Sequence, residues 1–392
     1  MQAQSSPYLT TLTPLRGIAA LLVALFHCNI FYWQFLPPVH TQLLDLSWLW
    51  VDFFFVLSGF IMSYAYGRNF RNGVSKKDFK KYMGARFARV YPLHFITTCW
   101  AFVCTLLILP HAVSPDIVFV SLFNRKAIVS CLLLIQSLHL GYYSAPLNNP
   151  SWSLSTEWWA YMLFPFLVPY FGRLKTAGKW ITALLIIAFY FLLKYIANDP
   201  RLGNGQPPNM ITDFGFLRCL AGFLAGMLLF ILFEHRAAFN LMHRDWFFGL
   251  SFLAVILGMH FGIKHQLIIA CFPFVLISAA YNDGLVKKIL DTRPFQRLGD
   301  WSFSIYMVHL PIIFTFYIFD VRKDPTIFMN LGPATNHPAD RPYALLMCAI
   351  IMSITLLVSA LTYNFIEIPA RNYFNKAFKT KQPRINPETY KV

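Results

Sequence analysis

The chain has 392 residues, of which 57% are hydrophobic and only 13% charged, with a formal net charge of +16. A soluble globular domain carries about a quarter charged residues, so this composition excludes an ordinary soluble fold and points to a lipid bilayer. The cationic surplus would suggest nucleic acid in a soluble protein. Here it sits in loops, with no basic helix face and no basic stretch interleaved with aromatics, and nucleic acid is excluded as a partner.

A bilayer span needs about 20 predominantly apolar residues. In chain order the apolar runs predict spans at Leu15–Tyr32, Leu49–Tyr66, Tyr91–Leu109, Leu154–Phe171, Ile181–Ile196, Leu217–Phe233, Phe247–Met259, Leu267–Ala280, Ser304–Phe319 and Tyr343–Ile366. The runs do not alternate apolar and polar residues, so helices are expected and not barrel strands. The predicted fold class is therefore all-α, a polytopic membrane helix bundle of about ten transmembrane helices.

Lys and Arg accumulate in cytoplasmic loops. The loop after the second run carries Arg68, Arg71, Lys76, Lys77, Lys80, Lys81, Arg86 and Arg89, whereas the loop 33–48 has no Lys or Arg. The basic tail, with Arg371, Lys376, Lys379, Lys381, Arg384 and Lys391, falls on the same side. Both termini are expected in the cytoplasm, with the chain a multi-pass protein of the inner membrane. An eleventh run, Ala127–Leu140, does not fit the alternation as a crossing and is expected to be a re-entrant or interfacial segment. Residues 1–379 read as a single membrane domain and 380–392 as a polar cytoplasmic tail. No cleavable signal peptide is expected, because a basic n-region is lacking before Arg16. The seven cysteines show no CxxC pairing and read as small apolar residues, with no metal site expected.

Ionisable groups at membrane depth are costly, roughly 2.5–3.5 kcal/mol on insertion scales, and each needs a reason. Arg16 and His27 lie eleven residues apart in the first run, close to three helical turns, so they share a face about 16 Å apart along the axis. Snorkelling explains Arg16 as well as function does, and helix packing is the competing reading of His27. Asp52 and Glu157 stand early in spans that enter from the side opposite the basic loops. A carboxylate in a first helical turn also has a dipole explanation, but a buried carboxylate beside an imidazole is a usual general base. Ser58 and Tyr306 are candidate oxyanion donors, while His309 reads more readily as a packing residue. Arg86 and Arg89, at i and i+3, share a face at a helix start and form a candidate phosphate clamp; positive-inside anchoring is the alternative. A transporter using the buried His, Asp and Glu as a proton relay is the competing functional reading.

These residues come in the order Leu15-Arg16-Gly-Ile-Ala-Ala-Leu-Leu-Val-Ala-Leu-Phe-His27, Val51-Asp-Phe-Phe-Phe-Val-Leu-Ser-Gly-Phe60, Arg86-x-x-Arg89-x-Tyr-Pro92, Ser153-Leu-Ser-Thr-Glu157, Gly299–His309 and Glu367-Ile-Pro-Ala-Arg371. In that order and across residues 15–371 the set resembles the bacterial membrane acyltransferase-3 family. The resemblance implies about ten spans and an O-acyltransferase that moves an acyl group, commonly acetyl from acetyl-CoA, to a hydroxyl of a surface polysaccharide, a lipid-linked glycan or a similar acceptor. It implies that Arg16, Arg86 and Arg89 meet the donor's phosphates and that His27, oriented by Glu157 or Asp52, deprotonates the acceptor hydroxyl. Many members carry an added periplasmic hydrolase-like domain. None is recognised in these 392 residues, so a partner acyltransferase domain or a second copy of the chain is an expected associate beside the bilayer, donor and glycan.

Overall fold

The computed structural model describes residues 9–31, 36, 39–108, 125–138, 147–197, 214–234, 240–323 and 341–377. The predicted tail at 380–392 lies outside the described residues. Fourteen α-helices and no strand occur among them, in the order α1 Leu12–Phe31, α2 Trp50–Phe70, α3 Lys76–Ile108, α4 Arg125–Leu133, α5 Ser151–Phe171, α6 Thr176–Ala197, α7 Gly215–Glu234, α8 Asp245–His260, α9 His265–Tyr281, α10 Leu285–Leu290, α11 Arg293–Asp300, α12 Ser302–Lys323, α13 Arg341–Thr362 and α14 Ile368–Ala377. A π-helical turn, Tyr363–Glu367, joins the last two. The chain is an all-α membrane bundle. Only helices keep every backbone polar group bonded inside an apolar segment that is not a closed barrel. Among the described residues seven helical stretches are long and apolar enough to span, and two shorter apolar ones, α8 and α9, accompany them.

Among the described residues each of the ten predicted runs coincides with one helix, except that Leu49 lies in the 3-10 turn before α2 and Tyr343–Ile366 continues from α13 into the π turn. Tyr32 and Leu109, the ends of two runs, lie outside the described residues. α3 departs from expectation. Its 33 residues extend for about 50 Å, well beyond a hydrocarbon core of about 30 Å. The basic stretch expected as a loop is therefore the first part of this helix, with its lysines exposed.

Side-chain pairings fix the helix directions. α1 and α12 advance together, from Ala24 beside Ile305 through His27 beside His309 to Phe31 against Phe314. α2, α5 and α7 run the opposite way, toward the basic end: Phe55 meets Trp152 and Phe70 meets Phe164, and Asp52 meets Arg218 and Phe60 meets Phe230. α3 follows α12, from Arg89 near Glu367 and Ser304 to Trp100 and Cys104 at Thr315. α3 thus ends, and α5 begins, at the end remote from the basic residues. Between them α4 is a nine-residue helix, about 13 Å long, closing in a turn where Leu134 takes a φ of 56°. The turn is tied to α5: Ser155 Oγ and Trp159 Nε1 donate to the Leu134 carbonyl at 2.7 and 2.8 Å. The part of Ala127–Leu140 beyond Leu138 lies outside the described residues.

Among the described residues, α2 and α7 approach most closely. A Cβ on Gly59 would lie 1.9 Å from the Phe223 carbonyl oxygen, and one on Gly226 would lie 1.9 Å from that of Val56. Small residues let helix backbones approach where lipid supplies no hydrophobic drive between helices. Gly226→Leu is expected to force α7 off α2, at a cost of about 3 kcal/mol or more. A lower unfolding temperature in detergent checks this, and an unchanged one would show that the two backbones separate freely.

Candidate functional site

The contact between α2 and α7 carries a buried ion pair at its remote end. Asp52, fully buried, accepts from Arg218 Nε at 2.8 Å and from Arg218 Nη2 at 2.5 Å. The guanidinium lies 4.7 Å from the Trp48 ring centre and 5.5 Å from that of Trp152. This bidentate fork uses both carboxylate oxygens. Asp52 is therefore a counter-ion to Arg218, and its hydrogen bonds do not go to His27 as the sequence had suggested. Glu157 likewise turns elsewhere. It accepts from Ser58 Oγ and, at 2.5 Å, from the Tyr161 hydroxyl. The physical reason is position: Ser58 lies on the face of α2 that α5 covers, while Tyr161 stands one turn along α5 from Glu157.

What stands beside His27 is His309. Their ring nitrogens, His27 Nδ1 and His309 Nε2, are 3.2 Å apart, and His27 Nδ1 is also 3.0 Å from the Val23 carbonyl oxygen one turn back. His27 is half-buried and His309 fully buried. Behind them, the Tyr306 ring stands 6.0 Å from that of His309, and the Tyr306 hydroxyl is 2.7 Å from Ser153 Oγ. Ser58 and Tyr306, the candidate oxyanion donors, are thus engaged with Glu157 and Ser153.

At the basic end the arginines gather. Arg86 Nη2 donates to the Tyr66 hydroxyl at 2.8 Å, and its guanidinium lies 5.1 Å from the Tyr66 ring centre and 5.8 Å from that of Tyr161. Tyr161 thereby links Arg86 to Glu157. Arg89 stands 3.9 Å from Glu367. Glu367, 1% exposed, also accepts from Ser304 Oγ at 2.6 Å and from Arg371. Arg16 Nη2 reaches the Gly299 carbonyl at 3.4 Å, and Arg89 feels the positive fields of Arg371, Arg16 and Arg86. The π turn makes this possible, because such insertions rotate a helix locally and recur at functional sites; here it aims Glu367 inward. At the end of α11, burial pushes the Asp300 carboxyl above its ordinary range, against the pull of Arg16, Arg297, Arg89 and Arg371. Two buried guanidinium nitrogens, Nε of Arg86 and Nε of Arg371, have no hydrogen-bond partner among the described residues. Arg86 and Arg89 thus do not form an isolated two-residue clamp. They belong to a cluster with Arg16 and Arg371 around Glu367; the sequence showed the last two in the motif Glu367-Ile-Pro-Ala-Arg371 but assigned them no role.

A separate cavity of about 830 Å³ opens at the same end, lined among others by Arg68, Arg71, Phe230, Tyr281 and Lys287. None of the four cluster arginines borders it.

A family model described as an acyltransferase domain matches residues 12–364. The chain belongs to the acyltransferase-3 family. It is similar to the acyltransferase MdmB of Streptomyces mycarofaciens, 29% identical over 78% of this chain and 79% of that protein. It is also similar to the O-acetyltransferase OatA of Staphylococcus aureus, 23% identical over 95% of this chain and 59% of OatA. A third relative is the putative peptidoglycan O-acetyltransferase YrhL of Bacillus subtilis, 24% identical over 97% of this chain and 57% of YrhL. The chain thus spans under two thirds of the length of OatA and YrhL. No solved structure matches it. Family membership makes the chain a membrane acyltransferase with O-acetyltransferases among its relatives, and it weighs against the transporter reading.

Proposed function

We propose that this acyltransferase moves an acetyl group from acetyl-CoA to a hydroxyl of a surface polysaccharide, a lipid-linked glycan or a similar acceptor, across the bacterial inner membrane with both termini in the cytoplasm. One observation carries the reading: His27 lies on the same helix as Arg16, about 16 Å along the axis from the arginine cluster, a distance a pantetheine arm spans. The donor's phosphates fit the cluster, where Arg89 and Arg371 share the buried Glu367 carboxylate and the Nε atoms of Arg86 and Arg371 have no partner among the described residues. Planar forks of this kind suit phosphate oxygens.

In the reaction the acceptor hydroxyl gives its proton to His27 Nε2 as its oxygen bonds to the thioester carbonyl carbon. The tetrahedral adduct then collapses, the carbon–sulfur bond breaks, and the proton on His27 passes to the departing thiolate. Products are the O-acetyl ester and free CoA. A peptidoglycan acceptor, named for YrhL, is one member of the glycan class proposed.

Arginine substitution separates this reading from simple anchoring. Arg89→Gln is expected to weaken CoA binding by about one to two decades, the value of a charged hydrogen bond of roughly 1.5–3 kcal/mol. Arg89→Lys should restore only part, because lysine lacks the planar fork. Arg68→Gln, at the separate cavity, serves as the control and should leave affinity unchanged. Calorimetry of the detergent-purified proteins against CoA measures all three. Unchanged affinity in both Arg89 variants would remove the cluster as donor site, and a loss confined to Arg68→Gln would move the donor to the cavity.

A further inference from the structure

The two histidines at the heart of the bundle have their tautomers set by their own helices. His27 Nδ1 lies 3.0 Å from the Val23 carbonyl oxygen and His309 Nδ1 lies 3.0 Å from that of Ile305. A carbonyl oxygen only accepts, so each Nδ1 carries the hydrogen; this assignment comes from the hydrogen-bond network. In each neutral ring Nε2 then holds a lone pair. His309 Nε2, 3.2 Å from His27 Nδ1, is thus an acceptor aimed at the Nδ1–H of His27, and His27 Nε2 is left bare. Burial separates the two roles: His309 is fully enclosed while His27 is half-buried. A hydroxyl can approach only the second ring.

We propose that His309 is the positioning residue of the reaction, in the place the sequence had offered to Glu157 or Asp52. The proposal rests on the transferase reading above. His309 holds the His27 ring in the tautomer that leaves Nε2 free. When Nε2 takes the acceptor's proton, the imidazolium Nδ1–H meets the His309 lone pair and the Val23 carbonyl. The new charge therefore faces two acceptors in an otherwise apolar interior, where a charged hydrogen bond is stronger than a neutral one. The proton stays on His27 until the thiolate receives it, and His309 gains and loses none. His309 is in turn steadied through the Tyr306 ring, whose hydroxyl contacts Ser153 on α5, so α1, α5 and α12 are joined at one point.

The test uses the full-length protein in detergent or liposomes. His309→Leu keeps the bulk and removes the acceptor, whereas His309→Gln sets an amide oxygen near the former Nε2. The leucine variant is expected to lose about ten- to a hundred-fold in kcat, the value of one hydrogen bond to a charged group. KM for acetyl-CoA should stay within about twofold, because the donor cluster is untouched, and glutamine should recover most of kcat. A second readout needs no turnover. Carbethoxylation of His27 by diethyl pyrocarbonate, followed by mass spectrometry, should slow several-fold in the leucine variant and recover with glutamine. A leucine variant with wild-type kcat would overturn the proposal. So would equal losses in both variants with unchanged His27 reactivity, which would make His309 a packing residue. If the wild type transfers no acetyl group but the contrast in reactivity persists, the imidazole pair stands and the transferase reading falls.

Discussion

His27→Ala is expected to reduce acetyl transfer by about 10²- to 10⁴-fold, the range for loss of a general base. The chemical step loses its proton acceptor, and among the described residues the other candidates are committed elsewhere. Glu157 is held by Ser58 and Tyr161, Asp52 by Arg218, and His309 is enclosed behind the ring that would be lost. Release of free thiol from acetyl-CoA in the presence of a glycan acceptor measures the effect. Donor affinity should hold, since Arg16 lies about 16 Å away along α1 and Arg86, Arg89 and Arg371 gather with it at the basic end. The variant should also fold, because a half-buried ring at a helix flank leaves a small void. A variant that keeps most of its rate would make His27 a packing residue and end the mechanism. One that binds CoA normally but turns over slowly would place the loss in the chemistry.

The same substitution distinguishes His27 from Arg16. Both lie on one face of α1, but Arg16 sits with Gly299 at the basic end, where the donor is expected. Its loss belongs in KM, whereas the loss of His27 belongs in kcat.

The fold was largely legible because the bilayer allows so few solutions. An apolar run must close its own backbone hydrogen bonds, so each run became a helix. The first part of α3 was not legible in this way. Lys76–Arg89 has no apolar periodicity to mark it, and it is helical because it continues a buried helix and docks at its end through Phe87 against Phe374. At the site, the spacing of Arg16 and His27 could be read because one helix carries both. Their partners could not. His309 is 282 positions from His27 and Arg218 is 166 from Asp52, and no local pattern encodes such pairings. Glu367 was visible in the motif Glu367-Ile-Pro-Ala-Arg371, but not its role, because the π turn that aims it inward leaves no mark in composition. Arg218 did leave a signal. It stands at the entry of an apolar run, at the end of the bundle where cationic residues are scarce, so positive-inside anchoring does not account for it. An arginine in that setting requires a buried counter-ion, and Asp52 is the carboxylate at matching depth.

That pairing gives the second large effect. Asp52→Asn is expected to destabilise the bundle by about 3–5 kcal/mol, the cost of leaving a buried charge without its partner. Arg218 is 6% exposed, its guanidinium lies against Trp48 and Trp152, and it cannot turn to water without unpacking α7 from α2. Removing both charges should be far milder. Asp52→Leu combined with Arg218→Leu replaces the pair by apolar bulk, and such exchanges are often neutral or even stabilising. Thermal unfolding in detergent measures the single and double variants, with thiol release followed on the same samples. If Asp52 acts as a structural counter-ion, the double variant regains both stability and turnover. If it acts in the chemistry, as its position near the remote end of α2 first suggested, Asp52→Asn stays stable while turnover falls, and the double variant recovers nothing. The geometry favours the first result. Both carboxylate oxygens accept from one guanidinium, and the partners of His27 Nδ1 are the Val23 carbonyl and His309, not Asp52.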